Sequence, residues 1–91
     1  MFVTYKTPVR ITQENSEKVL GDLLEIIDKN LDVVLDMTET VYISSVALRL
    51  ILIISKSLQS KRLNVLTILN SNDTIKSTIE MVGYDNFVEI K

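Results

Sequence analysis

Cysteine and histidine are both absent from this chain of 91 residues. That excludes disulfides, thiolate nucleophiles, imidazole general bases and most zinc sites, and it makes the cytoplasm the expected compartment. Glycine is scarce too. Gly21 and Gly83 stand alone, so no glycine-rich loop can cradle a phosphate and no glycine-flanked elbow can present a nucleophilic serine. A Ser–Lys dyad is conceivable by residue count, but no lysine lies near the serine pair Ser44 and Ser45 in sequence. No enzyme is expected, and neither a cofactor nor a metal. The net charge is −2, with acids and bases interspersed, so the basic stripe that nucleic-acid binding requires is missing. Long apolar runs are missing as well. Val46 to Ile54 is the longest, it is broken by Arg49, and it falls far short of the ~20 residues that span a bilayer. Residues 1–20 carry charges and no apolar signal core, so neither export nor direct membrane insertion is expected.

What is present is a core. Hydrophobic residues make up 46% of the chain, which fits one small globular domain over residues 1–91. Phe2 to Tyr5 reads as strand, extending towards Val9–Ile11 past a bend or edge at Pro8. Thr12 is placed to cap a helix with Glu14 and Glu17 in its first turns. Val19, Leu20, Leu23, Leu24, Ile27 and Leu31 then recur at helical spacing. Glu14/Lys18 and Glu25/Lys29 stand at i,i+4 on the solvent side of that helix, and Gly21 inside it suggests close packing. Val33-Val34-Leu35 within 32–37 has the continuous apolar character of a strand covered on both faces. A second helix is expected over about 46–58, a strand over 63–69, and a turn and cap at Asn70-Ser71-Asn72-Asp73. Ile75, Ile79 and Val82 predict a third helix closed by Gly83, and Phe87–Ile90 a last strand. Met37 and Met81 read as core residues. Lys56, Lys61 and Arg62 read as a solvated helix end. Alternating strands and helices predict an α/β fold: a mainly parallel (mixed) four-stranded sheet flanked by three helices.

The most informative stretch is Leu35-Asp36-Met37-Thr38-Glu39-Thr40-Val41-Tyr42-Ile43-Ser44-Ser45-Val46-Ala47-Leu48-Arg49. A strand ends on an acid, a polar loop follows, and two serines stand where a very apolar helix begins. Helix N-termini expose unpaired N–H groups and a positive dipole end, so a serine there can cap the helix or carry a phosphate. Both uses fit Ser44 and Ser45. Asp36 is placed to organise the loop by accepting backbone N–H groups; the other use of such a residue is beside a phosphate-bound metal, and strand-end Asp in turns favours the first. Thr38, Glu39 and Thr40 are expected to form an exposed rim.

These residues resemble the STAS domain of bacterial anti-sigma-factor antagonists. Members of that family tend to show a strand ending Leu-Asp-Leu, matched here by Leu35-Asp36-Met37. An aromatic-Ile-(Asp or Ser)-Ser-(Ser or Ala)-Gly-Leu segment then enters the helix, and here it reads Tyr42-Ile43-Ser44-Ser45-Val46-Ala47-Leu48. Later an apolar helix ends in Gly before an acidic pair and an aromatic, as in Met81-Val82-Gly83-Tyr84-Asp85-Asn86-Phe87. The resemblance covers about residues 9–91. Ala47 stands where the family has Gly, Ser44 stands where many members have Asp, and both ends are short, which would leave a sheet edge for pairing as a homodimer.

The resemblance implies an anti-sigma-factor antagonist that switches partners by phosphorylation. Ser45 aligns with the modified serine, and Ser44 is a lesser candidate. Thr38, Glu39, Thr40, Tyr42, Ser44, Ser45 and Arg49 would face the partner, a serine-kinase anti-sigma factor or similar switch kinase. A PP2C-type phosphatase would reset the switch. A phosphate on Ser45 would accept the N–H groups of Ala47 and Leu48, with Arg49 one turn on. The alternative is a non-switching STAS subunit of a membrane transport ATPase complex, in which both serines are only caps.

Overall fold

A computed structural model describes residues 1–91. Its elements run β1 (Phe2–Lys6), β2 (Arg10–Ile11), α1 (Gln13–Asp28), β3 (Asp32–Asp36), β4 (Tyr42–Ile43), α2 (Ser45–Ser60), β5 (Leu66–Leu69), α3 (Asp73–Met81) and β6 (Val88–Ile90). A short 3₁₀ turn, Tyr84–Asn86, precedes β6. The expected α/β architecture is present: β1-β3-β5-β6 form a four-stranded sheet in which every ladder is parallel. A second sheet, the two-stranded parallel pair β2–β4, has no counterpart in the sequence reading, because two-residue strands are too short to show a period.

Local chemistry explains most of the boundaries. Thr12 is the N-cap of α1, and its own N–H donates to the Asn15 side-chain oxygen at 2.9 Å. Asn72 caps α3 by accepting from the Ile75 N–H at 2.8 Å. Val82 ends that helix and Gly83 follows at φ 82°, a left-handed position where glycine carries little strain. Helix α1 stops at Asp28, so Leu31 lies beyond the helical stripe, after Asn30 at φ 61°.

Within the four-stranded sheet each strand lies beside the next of its strands in chain order, and right-handed crossovers all step the same way, so α1, α2 and α3 share one face of the sheet. The core lies between that face and the helices. It joins Val33, Leu35, Leu66, Ile68 and Val88 from the strands to Leu23, Ile27, Ile51, Ile54, Ile75 and Ile79 from the helices. Val34 is outside this cluster. It points to the opposite face, between Thr4 and Thr67 in register, and is 8% exposed because flanking strands shelter it. The apolar triplet of β3 therefore does not mark two helical layers.

Other expectations are corrected by tertiary placement. Val82 and Met81 are exposed, the latter 85%, because the short α3 buries only Ile75 and Ile79. Gly21 faces open space, with nothing within 4 Å of where a Cβ would stand, so it serves no close packing. Neither Glu14/Lys18 nor Glu25/Lys29 pairs. Lys18 instead reaches forward to Asp22 at 2.9 Å, which also accepts the Tyr5 hydroxyl at 2.7 Å. That hydrogen-bonded Asp22 and the burial of Tyr5, burial being the larger effect, push the phenol up to about 12. Asp32 is buried and holds β3 to the start of β5, accepting the Asn64 backbone N–H at 2.8 Å and its side-chain amide at 2.9 Å.

Candidate functional site

The loop between β3 and α2 is assembled by groups that lie about thirty residues apart in sequence. Val41 N–H donates to the Val9 carbonyl at 2.8 Å, and Ser44 N–H to the Ile11 carbonyl at 2.9 Å. Between them Arg10 and Ile11 pair with Tyr42 and Ile43. The small sheet thus clamps the approach to α2 against the segment after Pro8. Arg10 lies over the Tyr42 ring at 4.5 Å, a cation–π contact on an exposed surface.

Thr40 is not part of an exposed rim. It is buried, its hydroxyl donates to the Pro8 carbonyl at 2.7 Å, and it bonds the equally buried Thr7 hydroxyl. The Thr7 proton can go to Thr40 or to the Asp36 carbonyl at 3.2 Å. Nothing in the sequence links Thr7 to Thr40, since the strand and helix rules are local. Thr38 and Glu39 are exposed.

The Asp36 carboxylate accepts the Thr38 N–H at 3.0 Å and the Thr38 hydroxyl, and the Asn70 amide approaches at 3.4 Å. The Thr38 hydroxyl first, and its backbone N–H second, hold the Asp36 carboxyl below its ordinary value. Asn70, at φ 61°, also donates to the Thr38 hydroxyl at 3.0 Å and so joins the end of β5 to this loop. Lys6 pairs with Glu39, and that hydrogen bond raises the lysine. No group of three Asp or Glu side chains stands close enough to hold a metal ion.

At the mouth of α2 the two serines have separate places. Ser44 is the N-cap, with extended backbone (φ −83°, ψ 173°), and its hydroxyl oxygen accepts the Ala47 N–H at 3.2 Å. Ser45 is the first helical residue, exposed, and makes no hydrogen bond through its side chain. Leu48 N–H is bonded to the Ser44 carbonyl at 3.2 Å. The amides of Ala47 and Leu48 therefore already have partners, and those left open to an acceptor on Ser45 are its own and that of Val46. Ala47 is fully buried, while Arg49 is exposed and without an ion-pair partner. Around this mouth Val9, Val41, Tyr42 and Val46 are all exposed apolar or aromatic side chains. Arg10, Val9 and Asn70 belong to this surface, yet carry no motif; the break at Pro8 was the only sequence sign that 9–11 leaves the first strand.

The fold and this helix mouth define an α/β domain that presents an unbonded serine beside a clamped loop, at the carboxyl end of a parallel sheet. The sequence matches the family model for the STAS domain over residues 2–91, and the chain belongs to that family. Among solved structures it is similar to a protein from Thermotoga maritima provisionally described as an anti-sigma factor antagonist. The TM-score is 0.86 at 20% identity, over 98% of this chain and 77% of that one, a likeness of fold. No curated protein matches the sequence. No helix is long and apolar enough to cross a membrane.

Proposed function

We propose that this protein is an anti-sigma-factor antagonist that works by binding a protein partner in the cytoplasm, not by catalysis, and that phosphorylation of Ser45 ends the binding. The observation that carries the reading is the division of labour between the serines. Ser44 holds the cap, so Ser45 is free to be modified without unmaking the helix start. Membership of the STAS family and the likeness to the Thermotoga maritima protein support the partner class.

The partner is a serine-kinase anti-sigma factor or similar switch kinase. Thr38, Glu39, Tyr42, Ser45 and Arg49 offer it exposed contacts, Ser44 stands half-buried beside them, and buried Thr40 acts as scaffold for the loop. Binding would free the sigma factor. The kinase then transfers the γ-phosphoryl group of ATP to the Ser45 hydroxyl, giving phosphoserine, ADP and a proton. The phosphate carries about −1.5 to −2 charges at neutral pH. The amides of Ser45 and Val46 and the helix dipole favour it by roughly 0.3–1 kcal/mol, so the domain stays folded. Arg49, one turn on, can reach it. The cost falls on the interface, where a dianion meets a surface shaped for a hydroxyl and for Tyr42. A loss of about 2.8 kcal/mol already weakens binding about a hundredfold. A PP2C-type phosphatase hydrolyses the ester and resets the switch.

Affinity for the candidate kinase, measured for wild type, Ser45→Ala and Ser45→Asp, tests this. Ser45→Ala should bind like wild type and Ser45→Asp at least tenfold more weakly. Equal affinities for all three would remove the switch and leave constitutive binding, as in a non-switching subunit of a transport ATPase complex. A stoichiometric phosphate on Ser45 in protein from its native host would count against that alternative.

A further inference from the structure

Helices α1 and α2 are both 16 residues long, about 24 Å each, and pack side by side. Their outer surface is a groove of two hollows that meet at Ile53. Its floor is apolar: Leu20 and Leu24 from α1, Val46 and Ile53 from α2. Val46 and Ile53 are 37% and 36% exposed, and Leu20 and Leu24 beside them are half-buried. On α2 the groove is lined from Val46 through Arg49–Leu50, Ile53 and Lys56–Ser57 to Ser60, one continuous helix face along which a neighbouring helix can lie.

Charge differs between the two walls. Arg49 and Lys56 line the α2 side, Glu17 lines the α1 side, and none of the three has an ion-pair partner. At the far end Lys61 approaches Asp28 at 3.8 Å and closes the groove. The near end opens at Val46, the residue after Ser45.

We propose that this groove docks one amphipathic helix of a protein partner, with its apolar stripe on Leu20, Leu24, Val46 and Ile53, an acidic flank along Arg49 and Lys56, and a basic flank beside Glu17. A helix is the fitting occupant because the walls are themselves helices, with no free backbone edge to pair a strand. The inference goes beyond the serine switch and does not require Ser45 to be modified. It adds a second contact surface contiguous with the first, so that a partner seated in the groove holds its body beside Ser45.

The test uses the intact protein and a synthetic 18-residue peptide with a leucine stripe, glutamates on one flank and lysines on the other, alongside a scrambled peptide of equal composition. Fluorescence anisotropy should show saturable binding of the patterned peptide only. Ile53→Glu should weaken it at least tenfold, as should the pair Arg49→Glu and Lys56→Glu. In ¹⁵N spectra, the peptide should shift the amides of Leu20, Leu24 and Ile53. Equal binding of both peptides, no binding, or shifts confined to the open sheet face would overturn the proposal. So would the same amides shifting when the protein alone is concentrated, because the occupant would then be a second copy of this chain. Ser45 substitutions that leave kinase affinity unchanged would remove the switch without touching this result, and a failed peptide would leave the switch standing.

Discussion

Replacing the two adjacent serines separately should have unequal effects on stability, although both lie at the same helix start. Ser44 accepts the Ala47 N–H at 3.2 Å from a backbone in the extended region. Ser44→Ala leaves that donor without its partner in a half-buried setting, at a cost of about 1 kcal/mol within a range of ~0.5–2. Ser45 is exposed, unbonded through its side chain, and already helical. Ser45→Ala exchanges a moderate helix former for the best one, so its effect should stay within about 0.5 kcal/mol and lean towards stabilisation. For a domain of this size about 1 kcal/mol corresponds to a Tm shift of roughly 4–8 °C. Urea denaturation followed by circular dichroism, with Tm from calorimetry, separates the cases. Ser44→Asp supplies the control, since Asp caps as well as Ser and should recover most of the loss near neutral pH. A Ser45→Ala loss equal to that of Ser44→Ala would refute the reasoning, because the capping role would then not belong to Ser44.

Gly21→Ala should stabilise by roughly 0.5–1 kcal/mol, since a Cβ there meets nothing within 4 Å inside an exposed helix turn, and the urea midpoint reports it. Thr40→Ala removes the bonds to Pro8 and Thr7 from a buried site and should cost about 1–3 kcal/mol, with amide exchange in 9–11 and 41–44 quickening as the small sheet loosens. The hydrogen bonds from Asn64, the backbone N–H foremost, hold the Asp32 carboxyl below its ordinary value. Its contribution is thus complete above the unfolded carboxylate pKa and fades as pH falls through the depressed folded one. Asp32→Asn should lower stability near neutral pH and flatten the acid limb of the stability–pH curve, and an unchanged limb would count against it.

The helices were legible because each carries a repeating signal inside itself. The stripe of α1, the Thr12 and Asn72 caps and Gly83 at the end of α3 all act over four residues or fewer. The central strands were legible as apolar runs, but their burial was not. Val34 reads like Val33, yet one faces the helices and the other the open side, where Thr4 and Thr67 shelter it. Thr40 shows the same failure in the candidate site. Its neighbours Thr38 and Glu39 are exposed, and it is buried only because Thr7 and the Pro8 carbonyl arrive from 33 and 32 residues away.

By itself the sequence determined the three helices and the four strands of the main sheet, the alternation that makes a parallel α/β fold, and the position of the serine pair before an apolar helix. These rest on local periodicity, on caps and on the one-way crossover rule, all of which act along the chain. Only the tertiary structure decided which serine is the cap, which threonine is buried, which sheet face stays open, and that α1 and α2 leave an apolar groove with unpaired charges. Those outcomes depend on groups distant in sequence meeting at fixed distances, and a hydrogen bond or a sheltered methyl acquires its energy only once that meeting has occurred.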